Sequence, residues 1–477
     1  MHRRGWRLVS SVLMVTLAFV FRIRNLGEAS LWTDEGGTIF AVRQPASGMI
    51  NYLLDDAVHP PLFFFIQKTA LGLGVSEFVL RWPAAMFGVL SVAATMRVGR
   101  EWLGRSPALV GAVFLALTPY AAWYSREVRM YTLVMLLSLG AMWAFGRLLT
   151  STRRTETVLF TLLSTSLYTT HYFGLYAPLI QFVYLLITFR QNHRILVRWL
   201  ICQVMASLAI GAWLAMQYSY GVTLKITWIQ YPNPTALLGT LVQFTTGGSA
   251  AWQWVAGSLC GVIAALGVWS VRKQWAMWLV VPWICLPMLV TYAISLRRPL
   301  YVDRYFLSSL PPLMLAMAAG VVHLGRLNRL AGITLVVAIA LMMTQQTVSG
   351  NAIYRENWRG ASQFLVAHEQ EGDQLLRRSV YYRAMDYYYY GALDIKSMDV
   401  EWQVPSLLPS SGRLWLFYIE NEAHHGSRDA MLVDLYHQAP DLSTLDWLKR
   451  IEPYLQEWRE FDGVNVLLYD FSMKAPQ

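Results

Sequence analysis

The chain reads as a polytopic α-helical membrane protein with about eleven transmembrane helices, followed by a small extracytoplasmic α/β domain. Three observations predict this. Of the 477 residues, 55% are hydrophobic and only 14% charged, well below the roughly 25% charged residues of soluble domains. Apolar runs close to the ~20 residues that cross a bilayer recur as far as about residue 348. Beyond that point the composition changes: Lys and Arg exceed Asp and Glu by 27 to 10 up to residue 348, whereas acids exceed bases by 19 to 12 after it. The chain therefore divides into a membrane part, 1–348, and a polar tail, 349–477.

The apolar runs predict helices over approximately 6–22, 78–98, 107–124, 129–148, 157–172, 174–189, 199–217, 251–271, 275–295, 304–324 and 331–348. The first follows Arg3, Arg4 and Arg7 and has no small-residue cleavage site before Arg22, so it reads as a retained helix rather than a signal peptide. With the N-terminus inside, 16 of the 27 basic residues before position 349 fall on the cytoplasmic side, among them Arg97, Arg100, Arg147, Arg153, Arg198, Arg272 and Arg329. This is the positive-inside pattern, and it places the tail outside, at the cytoplasmic (inner) membrane.

The acids behave differently. Of ten Asp and Glu before residue 349, eight (Glu28, Asp34, Glu35, Asp55, Asp56, Glu77, Glu127 and Asp303) lie on the outer side, and only Glu101 and Glu156 lie inside. Acids contribute little to insertion, so this cluster points to an external site. The high isoelectric point reflects topology, not a nucleic-acid partner. No G-x-x-x-x-G-K-[ST] loop and no G-x-G-x-x-G after a strand marks a nucleotide site. Cys202, Cys260 and Cys285 lie in apolar runs, without ligand spacing or a disulfide framework.

The first outer loop spans about 55 residues, a length uncommon for a loop without function. It contains "LWTDEGG" (31–37) and "NYLLDDAVHPPLFFF" (51–65). The stretch 61–73 is too short to span and reads as an interfacial helix, with Phe63, Phe64 and Phe65 toward lipid and the prolines in the first turn. That corner holds His59 at the membrane surface. Asp34 and Glu35 are adjacent and cannot share a helix face. Either one serves a site while the other braces it, or the pair is a solvated loop with an N-cap aspartate. A second outer segment, 218–250, holds Lys225 and the interfacial stretch "ALLGTLVQFTTGG", and is expected at the lipid entrance.

"LWTDEG", "DDAVHPPLFFF", "LRWP" (80–83) and "YSREVRMY" (124–131) occur in this order, each at the outer end of a predicted helix. Together with "THYFG" (170–174), "DRYFLSSLPPL" (303–313) and "NWRGASQFL" (357–365), they resemble the GT-C glycosyltransferases of family 39, the branch with protein O-mannosyltransferases and the lipid A aminoarabinose transferase. The resemblance covers almost the whole chain. It implies a glycosyltransferase that takes a sugar from a polyprenyl-phosphate donor to an acceptor hydroxyl on a lipid, glycan or protein, at the outer face. It places Asp34 as the catalytic base, Glu35 as its neighbour and His59 with Asp56 in the second loop motif. The aminoarabinose enzymes commonly carry lysine where this chain has His59.

Arg129 and Tyr131 are candidates for the phosphate leaving group, and Glu127 for contact with the substrate. The i, i+3 and i, i+4 spacings of Arg126, Glu127, Arg129 and Tyr131 suit shared helix faces, and interfacial anchoring is the alternative. His171 and Tyr172 sit at an outer helix end, as substrate contacts or as helix-bonding residues. Asp303 and Arg304 open the tenth helix. Arg304 suits a lipid phosphate, because charge at that depth tends to be functional and a helix N-terminus favours anions; a surface pair with Asp303 is the alternative. His59 and Glu35 orient groups or hold a divalent metal.

In the tail, "NWRGASQFLVAHEQ" reads as a helix, "RLWLFYIE" and "VNVLLYDF" as strands, "YYRAMDYYYYGAL" as a half-buried strand, and "LSTLDWLKRIEPYLQEW" as a helix broken at its proline. Two other functions fit such a composition. A transporter or flippase predicts repeated halves and charges near mid-membrane, and no repeat is visible. A non-catalytic receptor or assembly subunit predicts no need for the Asp34 carboxylate.

Overall fold

The computed structural model describes residues 2–221, 229–349, 355–399, 411–420, 427–439 and 441–472, with the side chains of 2–8 left out; Lys225 lies outside the described residues. Contacts divide the chain into two compact units. The first comprises 1–26 and 45–352, the second 27–44 and 353–477. The first outer loop is thus shared: its first part belongs to the unit built from the tail.

In the chain's N-terminal half, helix α1 is His2–Ile23, α2 Thr33–Arg43, α3 Ala46–Asp56, α4 Leu62–Ala70, α5 Glu77–Trp102, α6 Arg105–Leu117, α7 Pro119–Tyr124, α8 Tyr131–Thr150, α9 Arg154–Tyr168, α10 Tyr176–Ile187 and α11 Phe189–Ser219. Then come α12 Ala236–Thr246, α13 Ala251–Ser270, α14 Met277–Ser295, α15 Leu310–Leu327 and α16 Arg329–Ser349. Each of the eleven predicted spans meets one or two of these helices. Among the described residues, seven helical stretches are long and apolar enough to cross a membrane: Glu77–Trp102, Tyr131–Thr150, Phe189–Ser219, Ala251–Ser270, Met277–Ser295, Asp303–Leu327 and Arg329–Ser349. Shorter apolar helices include Arg105–Leu117 and Tyr172–Ile187.

The span predicted over 107–124 breaks. Pro119 has no N–H for the carbonyl of Leu115, so α6 stops at Leu117. The freed carbonyls find other donors, as apolar surroundings require. The fully buried Arg22 donates to Leu115 and Ala116 oxygens at 3.1 and 3.2 Å, and Thr347 Oγ1 donates to the Leu117 oxygen at 2.8 Å. Thr118 Oγ1 in turn reaches the Phe244 oxygen at 2.7 Å, which fixes α12 to the break. Elsewhere α13 and α15 approach closely at Gly267 and Gly320, where a Cβ would collide with the facing backbone, the usual use of small residues between membrane helices.

Two expectations about the outer segments change. Phe63 and Phe64 are buried in the protein, and of the three phenylalanines only Phe65 is exposed. Residues 125–130 form turns rather than a helix, so helical spacing does not govern that motif. Arg126 donates to the Ala122 and Arg24 oxygens, while Arg129 goes elsewhere. The acids Glu101 and Glu156 both have structural partners, Arg97 at 2.6 Å and Arg147 at 2.9 Å.

In the second unit α2 is joined by α17 (Trp358–His368), α18 (Met385–Tyr388), α19 (Arg428–His437) and α20 (Leu442–Ile451). The strands are β1 Gln374–Arg377, β2 Ile395–Ser397, β3 Arg413–Ile419, β4 Leu455–Phe461 and β5 Val464–Asp470, in sheet order β2-β1-β3-β5-β4. β1 is parallel to both neighbours, while β3–β5 and β5–β4 are antiparallel. Leu416, Trp447, Leu448, Ile451 and Leu467 form a core between the sheet and helices α19 and α20. The expected strands β3 and β5 and helix α17 are present. "YLQEW" is not α-helix: α20 ends at Ile451, Pro453 lies in a single 3-10 turn, Glu452–Tyr454, and the alternation from Leu455 becomes β4. "YYRAMDYYYYGAL" contains the one-turn helix α18 rather than a strand.

Candidate active site

Each unit carries one group of the chemistry-bearing residues. In the first unit, α3 ends at Asp56, and Ala57 turns the chain in a left-handed conformation (φ 54°). Pro61 caps α4. The Leu62 N–H donates to the Thr169 oxygen at 3.0 Å, which ties this corner to the end of α9. His59 and His171 are therefore brought together, with ring centroids 5.7 Å apart. The turn after α7 supplies Arg129, whose Nη2 lies 2.6 Å from His59 Nε2. Tyr131 opens α8. Its hydroxyl accepts from Arg304 Nε at 3.1 Å, and its ring lies under the Arg129 guanidinium at 5.9 Å.

These contacts decide the tautomers. A guanidinium only donates, so His59 Nε2 accepts and its proton sits on Nδ1. That Nδ1 is buried and has no hydrogen-bond partner among the described residues. His171 Nδ1 accepts the Phe173 N–H at 3.1 Å, so its proton sits on Nε2, which is likewise buried and without a partner among the described residues. Burial, then Arg129, His171 and Arg304, push the His59 imidazole well below its usual range, so it is neutral. Two N–H donors without acceptors thus share a cluster with two guanidinium groups. Leaving such donors unsatisfied costs roughly 1–3 kcal/mol each, and an anion would satisfy them. The neighbouring arginine charge opposes a metal cation at His59. Among the described residues no group of three or more His, Cys, Asp or Glu converges as a metal site.

The remaining candidates in this unit surround the cluster less directly. Glu127 is buried and its Oε1 accepts from Trp123 Nε1 at 2.7 Å. Asp303 accepts from Thr240 Oγ1 at 2.5 Å. The Tyr172 hydroxyl donates to Gln217 Oε1 at 2.7 Å. Asp56 is half-buried at the end of α3.

In the second unit Asp34 and Glu35 lie in the first turn of α2, where carboxylates suit the helix dipole. Glu35 is fully buried. Its Oε2 accepts the Trp32 N–H at 3.3 Å and lies 3.9 Å from Arg355 Nη1. Asp34 is half-buried. Sequence reasoning missed Glu356. Its Oε2 accepts from Thr33 N, Thr33 Oγ1 and Trp358 Nε1 at 2.8, 2.6 and 2.6 Å. Burial pushes its carboxyl upward, those hydrogen bonds oppose the shift, and Asp34 adds to it. Arg359 donates to the Glu28 oxygen at 2.9 Å, and the Tyr388 hydroxyl accepts the Leu31 N–H at 2.7 Å. Gly36 lies so close to the Ala384 backbone that a Cβ would collide. The tail thus holds the segment that bears the acid pair.

Residues 58–216 match the family described as dolichyl-phosphate-mannose-protein mannosyltransferase. No curated protein shows a significant match to the chain. Among solved structures, the chain is similar to ArnT from Cupriavidus metallidurans in the apo state, at 14% identity, TM-score 0.58 and 100% coverage of both chains. It is similar to the same protein bound to undecaprenyl phosphate at 12% identity, TM-score 0.59 and 99% coverage of both. The Archaeoglobus fulgidus oligosaccharyltransferase in complex with Zn and sulfate matches at 11% identity and TM-score 0.55, over 94% of this chain and 71% of that one. Residues 58–216 thus match a mannosyltransferase family model, and along its whole length the chain shares its fold with ArnT.

Proposed function

We propose that the protein is an inverting glycosyltransferase that uses a polyprenyl-phosphate-linked sugar at the outer face of the cytoplasmic membrane. The observation that carries this reading is the pair of unsatisfied N–H donors on His59 and His171 beside Arg129 and Arg304. They suit an anion with several acceptor oxygens, and a lipid phosphate is such a group. The undecaprenyl phosphate bound to the similar ArnT structure supports the choice.

In this reading Asp34 takes the proton from the acceptor hydroxyl. The hydroxyl oxygen forms a bond to the anomeric carbon while the bond from that carbon to the phosphate oxygen breaks. The electron pair leaves on polyprenyl phosphate, whose charge Arg129, Arg304, His59 and His171 stabilise. Glu35, braced against Trp32 and Arg355, orients the turn. Glu127, Tyr131, Tyr172, Asp56 and Asp303 shape the substrate surroundings. Eleven membrane crossings put the tail outside, and the inner basic residues support that orientation.

The test is purified protein supplied with polyprenyl-phosphate sugars and an acceptor mixture. Release of polyprenyl phosphate, lost in Arg129→Ala, is the expected outcome. If neither release nor polyprenyl-phosphate binding is detected with the wild type, the reading fails.

A further inference from the structure

In the first unit, a cavity of about 420 Å³ lies between the 229–235 segment, α12, the start of α13 and the 301–303 segment. Its size falls within the roughly 300–1,000 Å³ of small-ligand sites. The lining is distinctive in what it offers. Gln230, Asn233 and Gln243 supply amides, which both donate and accept. Tyr231 and Trp254 supply aromatic faces. Among the described residues of the lining, Asp303 is the one that is charged, and it is acidic. Among the described residues no Lys, Arg or His lines the cavity, so none of them offers a phosphate a cation there. The amides and carboxylate equally disfavour an acyl or prenyl chain.

The wall at Asp303 is built rather than incidental. Thr240 is fully buried and within 2.7 Å of the Tyr301 hydroxyl. Its own hydroxyl donates to Asp303 Oδ1 at 2.5 Å. This Tyr301–Thr240–Asp303 chain fixes the carboxylate before any ligand arrives. A fixed acceptor, planar amides and flat aromatic rings are what a pyranose or furanose needs. Its hydroxyls bond to the polar groups, and its C–H face packs on a ring.

We propose that this cavity binds a neutral saccharide ring. The inference rests on the glycosyltransferase reading above and deepens it by separating the sugar from the phosphate. Asp303 faces the cavity, while the next residue, Arg304, bonds to Tyr131 in the anion cluster. One turn of chain thus reaches both the cavity and the anion cluster. The ring belongs either to the donor or to the acceptor, and the chemistry is the same for both.

The test uses full-length protein in nanodiscs and saturation-transfer NMR with free glucose, galactose, mannose, N-acetylglucosamine and arabinose. At least one sugar should receive saturation, and Trp254→Ala should weaken its binding about tenfold, in line with the loss of one stacked aromatic. Tyr231→Ala should weaken it too; Tyr231 is 64% exposed, so its removal leaves the packing intact. Polyprenyl phosphate without sugar should still bind both variants as it binds the wild type. Competition by the sugar-bearing polyprenyl phosphate alone marks the donor's ring, and competition by neither lipid marks the acceptor's. Saturation of no sugar, unchanged binding in both variants, or competition by sugar-free polyprenyl phosphate would overturn the proposal. Failure of the anion cluster would show separately, as absent polyprenyl-phosphate binding with sugar binding intact.

Discussion

Glu356 accepts both the backbone N–H and the hydroxyl of Thr33, through one carboxylate oxygen, across 323 residues of sequence. Thr33 is the first residue of α2, directly before Asp34. Glu356→Ala leaves three donors without their acceptor, which should lower stability by roughly 1–3 kcal/mol. Glu356→Gln keeps an acceptor oxygen and removes a charge whose burial is unfavourable, so it should be far milder at neutral pH. If Glu356 positions the acid-bearing turn, Glu356→Ala should lower kcat more than it raises the KM for donor, and Glu356→Gln should recover most of the loss. Equal effects of the two variants on thermal stability and kcat would show that the shared oxygen does not matter.

Arg304 and Arg129 are expected to act on the lipid phosphate. Arg304→Lys should restore only part of the affinity lost in Arg304→Ala, because lysine lacks the planar fork and cannot reproduce the Nε bond to Tyr131. Removing one hydrogen bond to a charged group costs roughly 1.5–3 kcal/mol, or about 10- to 100-fold in affinity. Titration of polyprenyl phosphate into each variant measures this. Wild-type affinity in Arg304→Ala would remove the residue from the site.

Much of this was legible in the sequence, and the omissions share a cause. The helices were readable because an apolar run in a bilayer has few alternatives. Asp303 and Arg304 stood out because charge beside a membrane helix is costly. The partner of His59 was not readable: Arg129 lies 70 residues away, and the helical spacing expected for 126–131 does not exist. Phe63 and Phe64 show the same limit, since an apolar residue suits lipid and protein interior equally. Glu356 gave no local signal, because its role depends on the tail folding with residues 27–44. Pro119 did give one, and reading its missing N–H would have placed the break between α6 and α7.

His59 makes stability depend on pH. Its imidazole titrates well below 6.5 in the folded chain because of burial and the neighbouring Arg129, His171 and Arg304. The unfolded chain therefore takes up a proton that the folded chain refuses. This contribution to stability is present above about pH 6.5 and is lost as pH falls below it. The apparent Tm should fall from pH 7.5 to pH 5, with a shallower slope in His59→Gln. Saturating polyprenyl phosphate should also flatten the slope, since an anion favours the protonated ring. An identical slope in wild type and His59→Gln would contradict the burial of a neutral imidazole.

Orientation is tested by labelling. After replacement of Cys202, Cys260 and Cys285, a cysteine at the exposed position Thr152 should resist a membrane-impermeant maleimide in intact cells, and one at the exposed Glu371 should react. Reaction at position 152 would reverse the assignment and move the proposed chemistry to the cytoplasm.

The last prediction separates the two adjacent acids. Glu35 is fully buried, accepts the Trp32 N–H and faces Arg355 at 3.9 Å, whereas Asp34 is half-buried on the same turn. A base must reach substrate, and a group enclosed by its own unit is better suited to bracing. A positioned base typically contributes 10²–10⁴-fold, so Asp34→Asn should lose about that much turnover while the protein still inserts and still binds polyprenyl phosphate. Glu35→Gln should instead lower thermal stability, by removing a buried negative charge that faces Arg355, and should reduce turnover less. The measurement is polyprenyl-phosphate release by each variant, with lipid binding and Tm recorded alongside. Full turnover in Asp34→Asn with collapse in Glu35→Gln at unchanged Tm would assign the base to Glu35. Full turnover in both would remove this turn from the chemistry and leave the anion cluster to a protein that binds its lipid without transferring from it.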